Sequence, residues 1–579
     1  MAIAMIFTVI LAQLLRVQGL DASTVSAQAF SERAQRTTIP ALRGQIVDAG
    51  GTTLARSVER RNVTADPFAA SEYKVRDKQT GKRTKVGLKG AAQAIAPIVG
   101  ADATELLSAL QQTADKKRRF MYLVKDISPD QWNRINDLRI PGIFSERVVK
   151  REYPQGTAAA PLVGWVSADG TPGGGIEAVQ QKVLNGKPGV HIYERAPDGT
   201  VIATASNSDT PAVDGRPVQL TIDNDLQWTA QNLIAAATTK AKAASGEAVV
   251  LDLKGNVLAA ASYPSFDNNQ IAAAKGSLLA RPFTEVYEPG STGKVITMAA
   301  ALQEGKVSAT SPFSVPYSFT RNGEKFADSH THPTETMTTA GILAKSSNTG
   351  TIMVGEKMSP QTMVSYMKKF GLGASTGVRM PGESAGFVKP AQSWVGRDRY
   401  VPLFGQGVSS NTMQLAGVFQ TIANGGVREP IKLIKGVGDG SGNFAPPQDD
   451  RVAVQAVTPQ VATQVTRMLN AVATEDGTAP KAAVPGYNVA GKTGTAQRYS
   501  GSQQDGVTAS FIGFAPSEAP RYIVAVAVHK PQAGTYGGEL AAPVFSQLMQ
   551  AALRLGHVPP SSAKPQLYDL VYDPKKGKQ

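Results

Sequence analysis

The chain is predicted to be an α/β protein: a helical cluster laid against an antiparallel sheet (an α+β sandwich), preceded by a long segment that carries no chemistry of its own. Three observations predict this. Strand-like runs at 247–252 and 257–262 flank Lys254-Gly255-Asn256, and two more at 509–516 and 522–528 follow late in the chain. Apolar residues at helical spacing occupy much of 291–375 between them. The 579 residues are too many for one ordinary domain and suit two or three.

Taken in order, Met1 to Ala12 is apolar except for Thr8, and Leu14-Leu15 precede Arg16. We read 1–16 as a membrane anchor. It is shorter than the about 20 apolar residues of a full span and has no basic stretch before it, as if a start codon lay upstream or the anchor were trimmed. No small-residue cleavage site follows, which favours an anchor over a cleaved signal. From 17 to 215 come short strand-like runs with Gly and Pro breaks and nothing that reads as catalytic. Lys74 to Lys89 holds seven cations and one acid. A solvated loop is the plainer reading, and attraction to anionic headgroups or wall polymers the functional one. The segment 216–558 opens with a strand at Pro217–Ile222 and an amphipathic helix from Asp225, then carries the hairpin, the helices and the late strands. The tail, 559–579, is rich in Pro and Lys and reads as flexible.

Composition narrows the chemistry. The 60 Lys and Arg exceed the 46 Asp and Glu, for a net charge of +14, yet no aromatics are interleaved with the basic run, which argues against nucleic acid. The absence of cysteine removes disulfides and thiolate metal sites. His330-Thr331-His332, with Asp328 and Glu335 nearby, alternates as metal ligands do. It lies in a polar loop without the helical spacing of a zinc hydrolase, so no metal or other cofactor is expected.

The chemistry-bearing motif is Ser291-Thr292-Gly293-Lys294, joined far downstream by Lys492-Thr493-Gly494-Thr495. A serine hydroxyl needs a base, and a lysine three residues on along a helix shares its face. Burial and a second cation such as Lys492 hold such a lysine neutral. Each motif is weak alone. Ser71/Lys74, Ser365/Lys368 and Ser561/Lys564 share the S-x-x-K spacing, and S-x-N occurs at Ser346, Ser409 and Ser441; only K-T-G is unique. Context selects Ser291. Glu288-Pro289-Gly290 makes a turn, and Val295, Ile296, Met298, Ala299 and Leu302 form an apolar helical stripe closed by Gly305. That places Ser291 at a helix N-terminus, where free N–H groups favour an oxyanion. Val489 to Ala496 reads as a strand of small residues that a substrate backbone can approach.

S-x-x-K, S-x-N and K-T-G together mark penicillin-interactive serine enzymes. The chain resembles a class B penicillin-binding protein, a peptidoglycan D,D-transpeptidase, most like the cell-division (septal) type. The resemblance runs over nearly the whole length. It includes Arg43 to Asp48 with Gly51 and Leu54-Ala55, Tyr153-Pro154, Gly164, Gly175-Ile176-Glu177, and Leu184-Asn185-Gly186. Ala261 to Asp267, Phe404-Gly405-Gln406-Gly407, Tyr536-Gly537-Gly538 and Ala541 to Phe545 extend it through the C-terminal part. Ala49 and Gln406 depart from the usual pattern, which bears on subfamily more than on chemistry.

The resemblance implies a transpeptidase domain at 216–558 and an elongated N-terminal pedestal domain at 17–215 that also contacts partners. It selects Ser346-Ser347-Asn348 among the S-x-N copies. Ser291 is then the nucleophile, Lys294 its base, Ser346 a proton relay, and Asn348 a clamp on Lys294 and the donor amide. Lys492, Thr493, Gly494 and Thr495 bind substrate, the N–H groups of Ser291 and Thr495 forming the oxyanion hole. The implied substrates are stem peptides ending in D-Ala-D-Ala, with β-lactams as acylating mimics. The implied setting is the extracytoplasmic face of a bacterial membrane at the septum, beside a lipid II-polymerising glycosyltransferase and division proteins. An elongation-type transpeptidase, a β-lactamase and a non-enzymatic β-lactam-binding scaffold stay open as alternatives.

Overall fold

The small and β-branched residues of the hairpin and of the late strands build one sheet. In the computed structural model, which describes residues 1–20, 24, 30, 34–76, 80–167, 169–194, 208–500 and 503–573, its strands are β1 (Ser245–Asp252), β2 (Val257–Tyr263), β3 (Ala490–Ser500), β4 (Gln503–Ala515) and β5 (Tyr522–His529). Their order is β2-β1-β5-β4-β3, every neighbour antiparallel. The strand carrying Lys492 is therefore an edge strand. At the hairpin bend, both Asp252 oxygens accept from Asn256, one from its backbone N–H at 2.9 Å and one from its amide at 2.7 Å.

Residues 523–529 of β5 are buried without alternation, because helices cover both faces of the sheet. One face receives α1 (Asn224–Lys240) and the long C-terminal helix Ala542–Leu555; Ile234, Val250, Phe511, Val526, Phe545 and Leu548 interlock there. The rings of Phe511 and Phe545 meet edge to face at 4.6 Å. On the other face lie α2 (Lys294–Gln303), α3 (Asn348–Gly355), α4 (Thr412–Ala423) and α5 (Pro459–Asn470), of which α4 is buried along its whole length. The α+β sandwich expected from the sequence is present.

The described chain divides into two units. One comprises Met1–Gln45, Arg56–Glu152 and Val183–Arg216; the other comprises Ile46–Ala55, Tyr153–Lys182 and Pro217–Gln579. In the first, Arg56–Ala65 pairs antiparallel with Ile143–Glu152 and with Met121–Ile127. Helices Gly87–Val99, Ala103–Asp115 and Pro129–Asp137 pack on this sheet around Ile95, Leu110, Ile127 and Ile135. Of the basic run, Lys74–Arg76 and Arg83–Lys85 form an exposed hairpin with Lys85 paired to Glu72 at 2.6 Å. Asp77 and Lys78 lie outside the described residues.

Several residues of the N-terminal motifs pack within the second unit. Asp48 accepts from Gly50 and Thr52 N–H with one oxygen and from Asn224 N–H, at the start of α1, with the other. Tyr153 meets the buried Glu177. Gly164 adopts φ 81°, and a Cβ there would stand 1.9 Å from the Gly174 carbonyl.

The two ends of the chain are held differently. The apolar N-terminus is helical over Ala2–Leu15, and its described side chains are exposed. Among the described residues no helix is long and apolar enough to cross a membrane. The tail was expected to be flexible, yet its described part is tied down. Thr338 N–H donates to Leu570 O and its hydroxyl to Asp569 O, while Arg467 stacks on Tyr568 at 4.0 Å. Proline and lysine content signals exposure, but it does not reveal a backbone hydrogen-bond partner some 230 residues away.

Candidate active site

Pro289 and Gly290 turn the chain sharply before α2. Gly290 takes φ 53° and donates its N–H to Gly405 O at 3.0 Å. Gly290 to Gly293 then form one 3₁₀ turn, so Ser291 stands at the N-terminal approach to the α-helix, on a 3₁₀ turn where the sequence suggested an α turn. The difference matters for alignment. With three residues per turn, positions i and i+3 eclipse, which stacks Lys294 over Ser291. Thr292 closes the turn by donating its hydroxyl to Pro289 O at 2.7 Å. Gly405 explains the Phe404-Gly405-Gln406-Gly407 stretch, since a Cβ there would stand 2.0 Å from Gly290 O. The next glycine, Gly407, donates its N–H to Glu288 at 2.8 Å.

Lys294 is fully buried. Its Nζ donates to Ser346 O at 2.5 Å and reaches Ser346 Oγ at 3.3 Å. Burial pushes its pKa down to about 7, and the Asp328 carboxylate limits the fall. A lysine so placed is a base at neutral pH. Ser346 presents both of its oxygens because it adopts φ 62°, a left-handed conformation that costs a serine about 1 kcal/mol. Ser347 then caps α3 by accepting from Gly350 N–H at 2.9 Å. Asn348 opens that helix and lines the same pocket, but its amide donates to Ala327 O at 3.1 Å. Among the described residues the expected clamp of Asn348 on Lys294 is not formed, and the lysine's hydrogen-bond partners are atoms of Ser346.

On β3, Lys492 points inward, fully buried, and donates to Thr493 O at 3.3 Å and Thr493 Oγ1 at 3.1 Å. No carboxylate reaches it among the described residues. Burial first, and the charge of Lys294 second, lower its pKa well below the ordinary lysine value. Two protons on this lysine pair are therefore disfavoured. Thr493 shares a hydrogen bond with Thr478 at 3.0 Å, and Thr495 Oγ1 accepts from Gly537 N–H at 3.3 Å. Gly494 lets the strand meet the turn that carries Ser291: a Cβ there would come within 2.4 Å of Ser510 Oγ and 3.0 Å of Thr292 Cγ2.

Ser291, Ser346, Asn348, Thr493 and Thr495 all line one pocket of about 550 Å³. Lys294, Lys492 and Gly494 lie behind its wall. The other S-x-x-K serines are elsewhere: Ser71 follows the short helix Pro67–Ala70, Ser365 is exposed on the helix Pro360–Lys369, and Ser561 accepts from Asn488 N–H. Asn411 caps α4 and Ser441 sits in an exposed loop. The sequence reading missed Thr478, Lys481 and Glu539, which no motif marks, and treated His330 as loop polarity. It also left Asp328 without a role, though its carboxylate accepts from the N–H groups of Asn348 and Thr349 at 2.5 and 2.9 Å.

Comparison with known proteins agrees with this geometry. Residues 246–550 match the penicillin binding protein transpeptidase domain, and residues 38–220 match the penicillin-binding protein dimerisation domain. The chain is 33% identical to penicillin-binding protein PbpB of Mycolicibacterium smegmatis, covering 96% of this chain and 90% of that protein. It is 32% identical to the peptidoglycan D,D-transpeptidase FtsI of Escherichia coli, covering 90% and 84%. The crystal structure of Mycobacterium tuberculosis penicillin binding protein 3 complexed with aztreonam superposes with a TM-score of 0.70 at 29% identity, covering 93% of this chain and all of that one. A serine and a buried lysine on one turn, facing a K-T-G edge strand, together with the matches to the transpeptidase domain and, earlier in the chain, the dimerisation domain, place the chain in the penicillin-binding protein transpeptidase family.

Proposed function

We propose that the protein is a peptidoglycan D,D-transpeptidase of septal cell-wall synthesis, acting through an acyl-enzyme on Ser291. The observation that carries this reading is the buried Lys294, poised near pH 7 one 3₁₀ turn from a serine at the pocket wall. Neutral Lys294 takes the proton of Ser291 Oγ, which attacks the carbonyl of the penultimate D-Ala of a stem peptide. The N–H groups of Ser291 and Thr495 hold the oxyanion. Collapse breaks the peptide bond, and the departing D-Ala amine takes a proton from the Lys294–Ser346 pair. An amine from a neighbouring stem then attacks the ester, forming the cross-link and restoring the Ser291 hydroxyl. The Thr493 and Thr495 hydroxyls receive the donor's terminal carboxylate, whose charge draws a proton onto Lys492. Asn348, on the same wall, hydrogen-bonds the donor amide. β-Lactams carry a strained amide into the same place and leave Ser291 as a slowly hydrolysed ester.

The domain roles follow the same reading. Residues 216–558 form the transpeptidase domain and 17–215 an elongated pedestal, with the apolar segment at 1–16 attaching the chain to the cytoplasmic membrane. A lipid II-polymerising glycosyltransferase and division proteins are the partners this arrangement suits. Labelling with fluorescent penicillin, cross-linking of polymerised lipid II and complementation of a depleted strain test the proposal together. Wild type is positive in all three and Ser291→Ala negative in all three. Rapid turnover of penicillin would make the protein a β-lactamase, and complementation by Ser291→Ala would make it a scaffold. Side-wall localisation would move it to the elongation type.

A further inference from the structure

We infer that Asp328 and His332, whose loop has no place in the proposed chemistry, are positioning residues for acyl transfer: the Asp328 carboxylate holds the S-x-N junction and sets the field at Lys294, and His332 governs how much of that field remains. The inference rests on Lys294 being the base of the reaction.

The geometry is specific. Asp328 follows the strand Glu324–Ala327, with its backbone fixed by an N–H bond to Tyr317 O at 2.9 Å. Its side chain is 8% exposed. One oxygen accepts from Asn348 and Thr349 N–H, the first two free donors of α3. With Ser347 serving Gly350, the first turn of α3 is satisfied by side chains, and the Ser346–Asn348 junction is held from both ends. The other oxygen takes Thr349 Oγ1 at 3.4 Å and His332 Nε2 at 3.0 Å. A carboxylate at a helix N-terminus is stabilised where it stands.

His332 is the second half of the device. Its Nδ1 lies 2.7 Å from Pro333 O, and its Nε2 faces the carboxylate. Both partners accept, so a ring protonated on both nitrogens satisfies both, and the loop favours the imidazolium. Burial opposes this, but the Asp328 and Pro333 hydrogen bonds and the charges of Asp328 and Glu335 outweigh it and raise the pKa of His332.

The groups facing these residues are few. Among the described residues, Lys294 sees Asp328 and Lys492. His332 sees Asp328, Glu335 and the edge of the Tyr317 ring at 6.1 Å. His330, Lys345, Lys481 and Glu539 line the pocket itself. Asp328 is thus the acid that favours a proton on Lys294, and a protonated His332 offsets it. Losing the carboxylate makes Lys294 a weaker base that is free at lower pH. Losing the histidine does the reverse.

The test is the pH profile of penicillin acylation, measured as the second-order rate constant on the full chain. Wild type rises with pH through a midpoint near 7. Asp328→Asn moves that midpoint down, and His332→Gln moves it up, each by about half a pH unit or more. In the double variant the upward shift vanishes, because it requires the carboxylate. Midpoints that stay with wild type while rates or labelled fractions fall would reduce the pair to structural support and overturn the inference. If Asp328→Asn does not fold, His332→Gln, altering a side chain 18% exposed, decides alone: an upward shift supports and an unmoved limb refutes. A wild-type profile with no limb near neutrality would instead remove Lys294 as the base, a separate failure.

Discussion

Lys294 occupies a place in which a charged lysine is unstable, and this has two measurable consequences. Its pKa falls from an ordinary 10.5 to about 7, so it is half a free amine near pH 7 and largely one by pH 8, able to accept a proton from Ser291. Lys294→Arg keeps a cation that cannot deprotonate, and acylation by penicillin should fall by about 10²–10⁴-fold, the range a general base supplies. The second consequence concerns stability. Between pH 7 and 10.5 the unfolded chain holds a proton on this lysine that the folded chain has released, so folding stability from this residue rises with pH across that window. Lys294→Met removes the cost of burial. It should raise Tm at neutral pH, by the equivalent of about 1–3 kcal/mol, and flatten that slope in thermal melts while abolishing labelling. A variant both more stable and inactive marks strain held for function.

At the scale of elements, the site is a contact between a turn and an edge strand. Gly494 allows the contact, and its backbone is not in the left-handed region, so alanine there is a steric change alone. Gly494→Ala should displace β3 from Thr292 and lower acylation about 100-fold with little loss of Tm, which labelling and melting curves separate. Further along β3, Arg498 anchors the strand to the approach of the nucleophile. It pairs with Glu285 at 3.2 Å, while its other guanidinium nitrogen donates to Thr508 Oγ1 and His529 Nδ1 at 3.2 and 3.0 Å. Because a guanidinium only donates, His529 must carry its proton on Nε2, directed at the buried Glu247. Arg498→Ala leaves that polar cluster short of a donor and should cost about 3 kcal/mol in denaturant melts.

At the scale of the molecule, the two ends make opposite predictions. Removing 1–20 should leave penicillin acylation unchanged, because the described side chains of that helix are exposed and none of them lines the pocket, while membrane sedimentation is lost. Removing 559–579 should lower both Tm and acylation, because residues 569 and 570 hold Thr338, the cap of the short helix leading to Ser346. Acylation surviving that deletion intact would show the tail to be dispensable.

Much was legible from the chain alone. Ser291, Lys294 and the K-T-G strand declare themselves because their chemistry depends on local spacing, and the strands at 245–263 and 503–529 because burial on two faces leaves a dense apolar pattern. What the sequence withheld depends on partners distant along the chain: Asp328 at the head of α3, Thr478 on Thr493, Arg498 on Glu285, and the tail on Thr338. The sequence by itself marked Ser291 and Lys294 as one local pair and determined the class of fold. Only the tertiary structure decided that the serine stands on a 3₁₀ turn, that Lys294 bonds to Ser346 in place of Asn348, and that burial lowers the pKa of both lysines. The reason is physical: spacing sets which residues can share a turn, whereas burial and charge at a point in space are set by every segment that folds around it.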